Sequence, residues 1–128
     1  LYVREGDRRV CLFRHDSNQS IRHAARVGDS FPLERGAPGR VLLVFDGDDD
    51  PLADEIRARG WHCTRGERDP QVASLAAPVF RESRNLFGSV ALTGPPSRFT
   101  EEAVAKHLPI LLKGAAKLSA AMGGHPES

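Results

Sequence analysis

Apolar positions along the chain fall into short runs separated by turn-forming residues. Leu1-Tyr2-Val3 precedes a Glu5-Gly6-Asp7 turn and Val10-Cys11-Leu12-Phe13 follows it, the pattern of two consecutive strands. After Asp16-Ser17-Asn18, residues 21–27 make a third strand candidate, and residues 28–32 read as a loop. A chain that opens on a strand, without an initiator Met, is expected to be a domain whose front edge lies upstream.

Arg40-Val41-Leu42-Leu43-Val44-Phe45 suits a buried helix or a strand by periodicity alone. Pro38 near its start favours a helix, because the first helical amides have no intrahelical acceptor and proline's φ is preset. Residues 51–59 form a second short helix, with Asp46 to Asp50 placing negative charge at its positive end and Gly60 as its C-cap. Residues 60–80 then read as a strand carrying Trp61 and Cys63, a charged turn through Gly66 and Pro70, and a second strand over 72–80.

Beyond the polar connection 81–85, residues 86–93 alternate. Leu86, Gly88, Val90 and Leu92 should pack under helices, while Phe87, Ser89, Ala91 and Thr93 should line solvent or a cavity. Gly94-Pro95-Pro96-Ser97 is a turn. Thr100 is the expected N-cap of a last helix in which Val104, Leu108, Leu111, Leu112, Ala115, Leu118 and Met122 recur at three- and four-residue steps, bent at Pro109. Gly123-Gly124 ends it, and residues 125–128 should fray.

A length of 128 residues suits one domain, and 40% hydrophobic with 27% charged residues suits a packed core with a solvated surface. A formal net charge of +1 lacks the dominant basic face of a nucleic-acid binder, and no helix-turn-helix pattern is present. Arginines nevertheless crowd the first third, at positions 4, 8, 9, 14, 22, 26, 35 and 40, interleaved with acids. Their plain reading is a salt-bridged surface; the sharper one is a site for an anion. No apolar run reaches membrane-spanning length, and no signal peptide is visible. Cys11 and Cys63 lack metal-ligand spacing and are expected to be free thiols in a reducing compartment, which makes the expected location cytoplasmic.

The candidate chemistry is sparse. Asp46, Asp48 and Asp50 mimic the start of a calcium loop, but Pro51 stands where that loop needs glycine and Arg57 where it needs a bidentate Glu. Arg14-His15-Asp16-Ser17 holds the residue types of a hydrolase, yet neighbours on a strand point to opposite faces. His15, His23, His62, Cys11 and Cys63 could converge on zinc only through the fold. No enzymatic activity, cofactor or metal is expected.

Four blocks in order carry a family resemblance. They are Ser20-Ile21-Arg22-His23 with Val27-Gly28-Asp29-Ser30-Phe31-Pro32-Leu33; Gly36-Ala37-Pro38-Gly39-Arg40-Val41-Leu42-Leu43; Gly60, Glu67, Ser74, Leu75, Ala76, Val79 and Phe80; and Ala91-Leu92-Thr93-Gly94-Pro95 with Arg98-Phe99, Ala115-Ala116-Lys117-Leu118-Ser119 and Gly123. Together they closely resemble the effector-binding domain of IclR-type bacterial transcription regulators, over residues 1–124. The resemblance implies an α+β, profilin-like or GAF-like domain with a central antiparallel sheet flanked by helices. It further implies small-molecule effector binding, dimer and tetramer contacts, and DNA binding only through an N-terminal winged helix-turn-helix domain that this chain does not contain. A module of the same fold that only pairs subunits is the alternative.

Carried over position by position, the resemblance places Ala37 and Pro38 in the loop whose backbone amides hold a small carboxylate. Thr64 takes a position that is often acidic or Ser, Ser74 a Cys/Ser/Ala position, and Ala91 and Thr93 a pair that is often Ser and Ser. Ser20 and His23 fall on an apolar wall. Pro38 cannot donate a hydrogen bond, Thr64 carries no charge and Ala91 has no hydroxyl, so the handles for a keto acid are weakened. The expected effector is therefore a larger or more apolar organic acid, such as an aromatic acid, with Thr93, Ser74, Thr64 and His23 as polar anchors. The connection between Phe45 and Gly60 is also shorter than the family's, which implies less cover over the pocket mouth.

Overall fold

A computed structural model describes residues 1–15 and 26–123. The two opening strands, β1 (Tyr2–Glu5) and β2 (Arg8–Cys11), pair across the Gly6-Asp7 turn, Tyr2 opposite Cys11 and Glu5 opposite Arg8. The third strand is β3 (Ser30–Pro32), inside the stretch that the sequence suggests is a loop. Three residues ending in proline carry little strand signal; β3 forms because it pairs with Arg8, Arg9 and Val10 of β2. The Arg8 side chain adds Nε to Ser30 Oγ and Nη2 to the Ser30 carbonyl, both at 3.0 Å. Of the strand expected over 21–27, residues 21–25 lie outside the described residues, and Arg26, Val27 and Gly28 form no strand. Residues 124–128, expected to fray, also lie outside them.

The helix reading of the segment after Pro38 holds: α1 spans Ala37–Phe45 with Pro38 in its first turn. The second helix, α2 (Ala53–Arg59), starts two residues later than the acidic run suggests. Asp50 accepts from the Leu52 amide at 2.9 Å, so it closes the turn before the helix instead of capping the helix itself. Gly60 ends α2 in the left-handed conformation, as expected for a C-cap. Next come β4 (His62–Arg65), β5 (Ala73–Phe80), β6 (Leu86–Gly94) and the 21-residue α3 (Glu101–Ala121). Thr100 caps α3 by accepting from the Ala103 amide at 3.2 Å. Pro109 sits on its exposed side, where the carbonyl left without a partner faces water.

The six described strands join one antiparallel sheet in the order β3-β2-β1-β6-β5-β4. Every residue of β5 is buried, which is why Ala73-Ser74-Leu75-Ala76-Ala77-Pro78-Val79-Phe80 shows no polar alternation. On one face Ala73, Leu75, Ala77 and Val79 meet Val104, Leu111 and Ala115 of α3. On the other, Ala76 meets Ala37, Val41 and Val44 of α1 and Ile56 of α2. A third cluster joins Leu42 of α1 to Tyr2, Cys11 and Leu33. Helix α1 is thus packed against both halves of the sheet, β1–β2 and β4–β6.

The face assignment along β6 needs correction. A bulge interrupts β5–β6 pairing between Val79 and Phe80, so Val79 faces Gly88 while Phe80 faces Leu86. Leu86 consequently joins the α1 side and Phe87 the α3 side, opposite to unbroken alternation. Val90 packs toward α3, but Leu92 remains 38% exposed. The face carrying Ser89, Ala91 and Thr93 lies under α1, not on open solvent. The bulge also frees the Phe80 amide from the ladder, and Ser119 of α3 accepts from it at 2.9 Å.

Candidate functional site

The register of β4, β5 and β6 sets side chains in rows across the α1 face. Thr64 pairs with Ser74, and Ser74 with Thr93; in the adjacent row His62 pairs with Ala76, and Ala76 with Ala91. Three hydroxyls therefore stand abreast on three strands. Ser74 Oγ and Thr93 Oγ1 are 3.2 Å apart and share a hydrogen bond. Thr64 turns its hydroxyl to the start of α1 and accepts from the Ala37 amide at 2.9 Å.

The start of α1 has no cap of its own, because its N-cap is Gly36 at φ 93 and ψ 151. Other parts of the chain supply the acceptors. Thr64 takes the Ala37 amide, Glu67 Oε1 takes the Gly36 amide at 3.2 Å, and Pro38 has no amide hydrogen to place. The Pro38 carbonyl accepts from Ser89 Oγ at 2.9 Å, fixing the first turn to β6. Gly39 lets that turn approach closely, since a Cβ there would lie 2.2 Å from the Leu33 carbonyl oxygen.

Of the residues the resemblance selects, the fold brings Ala37 and Thr64 into contact, pairs Ser74 with Thr93, and packs Ala91 against the α1 cluster. Pro38 joins them through Ser89. Ser20 and His23 lie outside the described residues. The site differs from the expectation in one respect: two of the backbone amides at the helix start are already occupied by Thr64 and Glu67. An incoming carboxylate would meet those acceptors first.

Charge surrounds this point. Glu67 Oε2 also accepts from Arg40 Nη1 at 2.7 Å, and Arg40 makes a two-pronged pair with Asp50, Nε to Oδ2 at 3.0 Å and Nη2 to Oδ1 at 2.8 Å. Hydrogen bonding to Arg40 holds the Asp50 carboxyl below its usual range. Asp46 and Asp48, the other members of the acidic run, pair with Arg4. Behind the row, His62 receives a hydrogen bond from Arg59 on Nδ1 at 2.7 Å. Burial, with help from Arg40 and Arg59, pushes its pKa down from 6.5 to about 4. The neutral ring keeps its proton on Nε2, a buried atom with no hydrogen-bond partner.

Two open depressions flank α1. One, of about 620 Å³, is lined by Val3, Arg4, Leu42, Asp46, Arg81 and Phe87. The other, of about 400 Å³, is lined by Glu34, Arg35, Arg40, Asp50, Pro51 and Glu67, and so reaches the helix start from outside. None of the three row hydroxyls bonds a histidine or carboxylate among the described residues. Cys11 and Cys63 are free thiols, and among the described residues no group of three or more His, Cys, Asp or Glu could hold a metal ion. No described helix is long and apolar enough to cross a membrane.

Sequence reasoning met Arg9 and Arg40 only within a crowd of arginines, His62 only as a zinc candidate, and Ser89 and Ser119 only as members of longer stretches, without the contacts described above. Strand parity could have found Arg9, which shares the buried face of β2 with Cys11. For Ser119 there was no signal, because its partner arises from a bulge.

Comparison with known proteins locates the chain. Residues 51–120 match the family model described as the bacterial transcriptional regulator IclR C-terminal. The chain is 26% identical to the HTH-type transcriptional regulator KdgR of Escherichia coli, across 91% of this chain and 54% of that protein. With the glycerol operon regulatory protein of Streptomyces griseus the identity is 34%, across 68% of this chain and 42% of the relative. The chain therefore spans about half the length of the curated relatives it matches. Among solved structures, an IclR-family protein from Rhodococcus sp. superposes with a TM-score of 0.82 at 27% identity, covering 94% of this chain and 55% of that one.

Proposed function

Because the chain belongs to the IclR family of bacterial transcriptional regulators, as their C-terminal regulatory domain, we propose that residues 1–124 sense a small organic or aromatic acid and pass its presence on through subunit contacts. DNA recognition would belong to an N-terminal domain of the kind that the relatives' helix-turn-helix names denote. The observation that carries the reading is the row of hydroxyls Thr64, Ser74 and Thr93 beneath the start of α1. A helix start offers amides and the positive end of the dipole to an anion, and the side chains of Ser74, Ala91 and Thr93 beneath it are small. In this reading the effector lies between the first turn of α1 and β6, touching Ala37, Pro38, Thr64, Ser74, Ala91 and Thr93, with Ser20 and His23 as further contacts. Binding would act by favouring one arrangement of subunits, which requires different affinity for the two.

Calorimetry and thermal shift on the full chain, with parallel panels of keto acids and aromatic acids, test this. A ligand that binds only the native state raises the melting temperature with concentration. Aromatic acids are expected to bind more tightly than pyruvate or glyoxylate; the reverse order rejects the larger effector.

A second reading has its own support. Thr64 and Glu67 already occupy the amides, Ser89 seals the first turn, and apolar side chains stay exposed along α3, Ile110 at 69% among them. A domain that only pairs subunits would look the same. It would show no ligand-dependent melting, while sedimentation would report concentration-dependent association.

A further inference from the structure

Among the described residues, Arg9 is a buried charge without a counter-charge. It sits in the middle of β2 at 2% exposure, on the face that packs toward α1. Its guanidinium lies 4.3 Å from the Tyr2 ring centre and 4.8 Å from that of Phe31. Nη2 reaches the Arg35 carbonyl at 3.5 Å, the limit of a hydrogen bond, and Nε has no partner. Among the described residues Arg9 makes no ion pair.

The Tyr2 side chain favours the charge and hydrogen-bonds the guanidinium, but a helix end and a second cation next to it add positive potential. Nη2 lies 3.1 Å from where a Cβ on Gly36 would stand, so the guanidinium abuts the N-cap of the nine-residue α1, the positive end of that helix. Arg68 stacks on the same Phe31 ring at 4.6 Å and repels Arg9. Burial lowers the pKa of Arg9, Tyr2 offsets part of that and Arg68 adds to it, yet a guanidinium in a protein remains charged. The rings of Tyr2 and Phe31 offset part of the desolvation. Glu67, the nearest acid at the helix start, is committed to Arg40 and the Gly36 amide. A buried cation at a helix's positive end, beside a second cation and with an unused N–H, is a built half-site for an anion.

We propose that Arg9 is the anion anchor of this domain: a small aromatic carboxylate binds with its carboxylate against Arg9 and the first turn of α1, and its ring beside Tyr2 and Phe31. This rests on the effector-sensing reading and names the class of effector and the residue that selects it. Gly36 matters because the missing side chain leaves Nη2 reachable from the helix start. The fork of donors on Arg9 matches a carboxylate in a way that a lysine cannot.

The test uses the full chain at constant ionic strength, with benzoate and its neutral counterpart benzamide as probes, read by melting temperature and calorimetry. Wild type is expected to bind benzoate at least tenfold more tightly than benzamide. Arg9→Met is expected to lose that preference while melting, without ligand, at or above the wild-type temperature, because an unpaired buried charge is gone. Arg9→Lys is expected to weaken benzoate at least tenfold and leave benzamide unchanged, and it carries the test should Arg9→Met not fold. If Arg9 only fills space, Arg9→Met melts lower and binds benzoate as wild type does, which overturns the proposal. If both probes bind wild type equally, and Ser74→Val or Thr93→Val weakens both while Arg9→Lys weakens neither, the sensing site stands and Arg9 is not its anchor. If wild type binds no carboxylate of the keto or aromatic panels, the sensing reading and this proposal fail together.

Discussion

Acidification from pH 7.5 to 4.5 should destabilise this domain, and His62 should carry a measurable share of the loss. The ring is 4% exposed, lies next to the Thr64 row, and takes a hydrogen bond from Arg59 that a protonated Nδ1 could not accept. Burial first, then Arg40 and Arg59, lower its pKa from 6.5 to about 4. Above 6.5 the ring is neutral in folded and unfolded chains alike, so it makes stability neither rise nor fall. Between 6.5 and about 4 the unfolded chain takes up a proton that the folded one refuses, and stability drops as pH falls; below about 4 the loss levels off. At about 1.4 kcal/mol for each tenfold difference in proton affinity, the full effect approaches ~3 kcal/mol, and most of it is reached by pH 4.5. Urea unfolding of wild type and His62→Gln at pH 7.5, 6.5, 5.5 and 4.5 isolates it, because every other group titrates in both proteins. Asp50, held low by Arg40, titrates below this window. Wild type should lose about 2 to 3 kcal/mol more than the variant over the range. Parallel curves would show that the folded chain does not resist protonation of His62, contrary to its burial beside Arg59.

Three substitutions probe the scaffold around the site. Ser119→Ala leaves the Phe80 amide buried without an acceptor and should cost about 1–3 kcal/mol in chemical denaturation, with Ser119→Thr closer to wild type. Gly39→Ala forces a Cβ to within 2.2 Å of the Leu33 carbonyl. It should lower the melting temperature more than Gly114→Ala, where a Cβ meets nothing within 4 Å. Thr64→Val removes the acceptor for the first amide of α1 and should cost about 0.5–2 kcal/mol, a loss that Thr64→Ser restores.

How far the sequence could be read depended on whether a feature was local. The β4–β5 hairpin was legible because Gly60, Pro70 and two apolar runs mark it within twenty residues, and α1 because Pro38 resolves an otherwise ambiguous run. The α+β class and the antiparallel sheet followed from the same signals together with the resemblance. Pairing across long separations was not legible. Strand β3 exists only because β2 lies beside it, and the bulge at Val79 and Phe80 reverses the faces of Leu86 and Phe87 without any local mark. At the site, Thr64 was singled out for what it lacks, a charge. The structure shows what its hydroxyl does instead, which is to satisfy an amide 27 residues away. Arg9 was one of eight arginines in the first third, and only its burial between two rings sets it apart.

A crystal structure of the full chain grown with benzoate would locate the acid directly. The ligand is expected between the first turn of α1 and β6, its carboxylate at Arg9 and the Gly36–Ala37 turn, with the hydroxyls of Thr64, Ser74 and Thr93 within reach. Benzoate bound only in the outer depression beside Glu34, Arg35 and Asp50, with the Thr64–Ala37 and Ser89–Pro38 bonds unbroken and no ligand under α1, would contradict it.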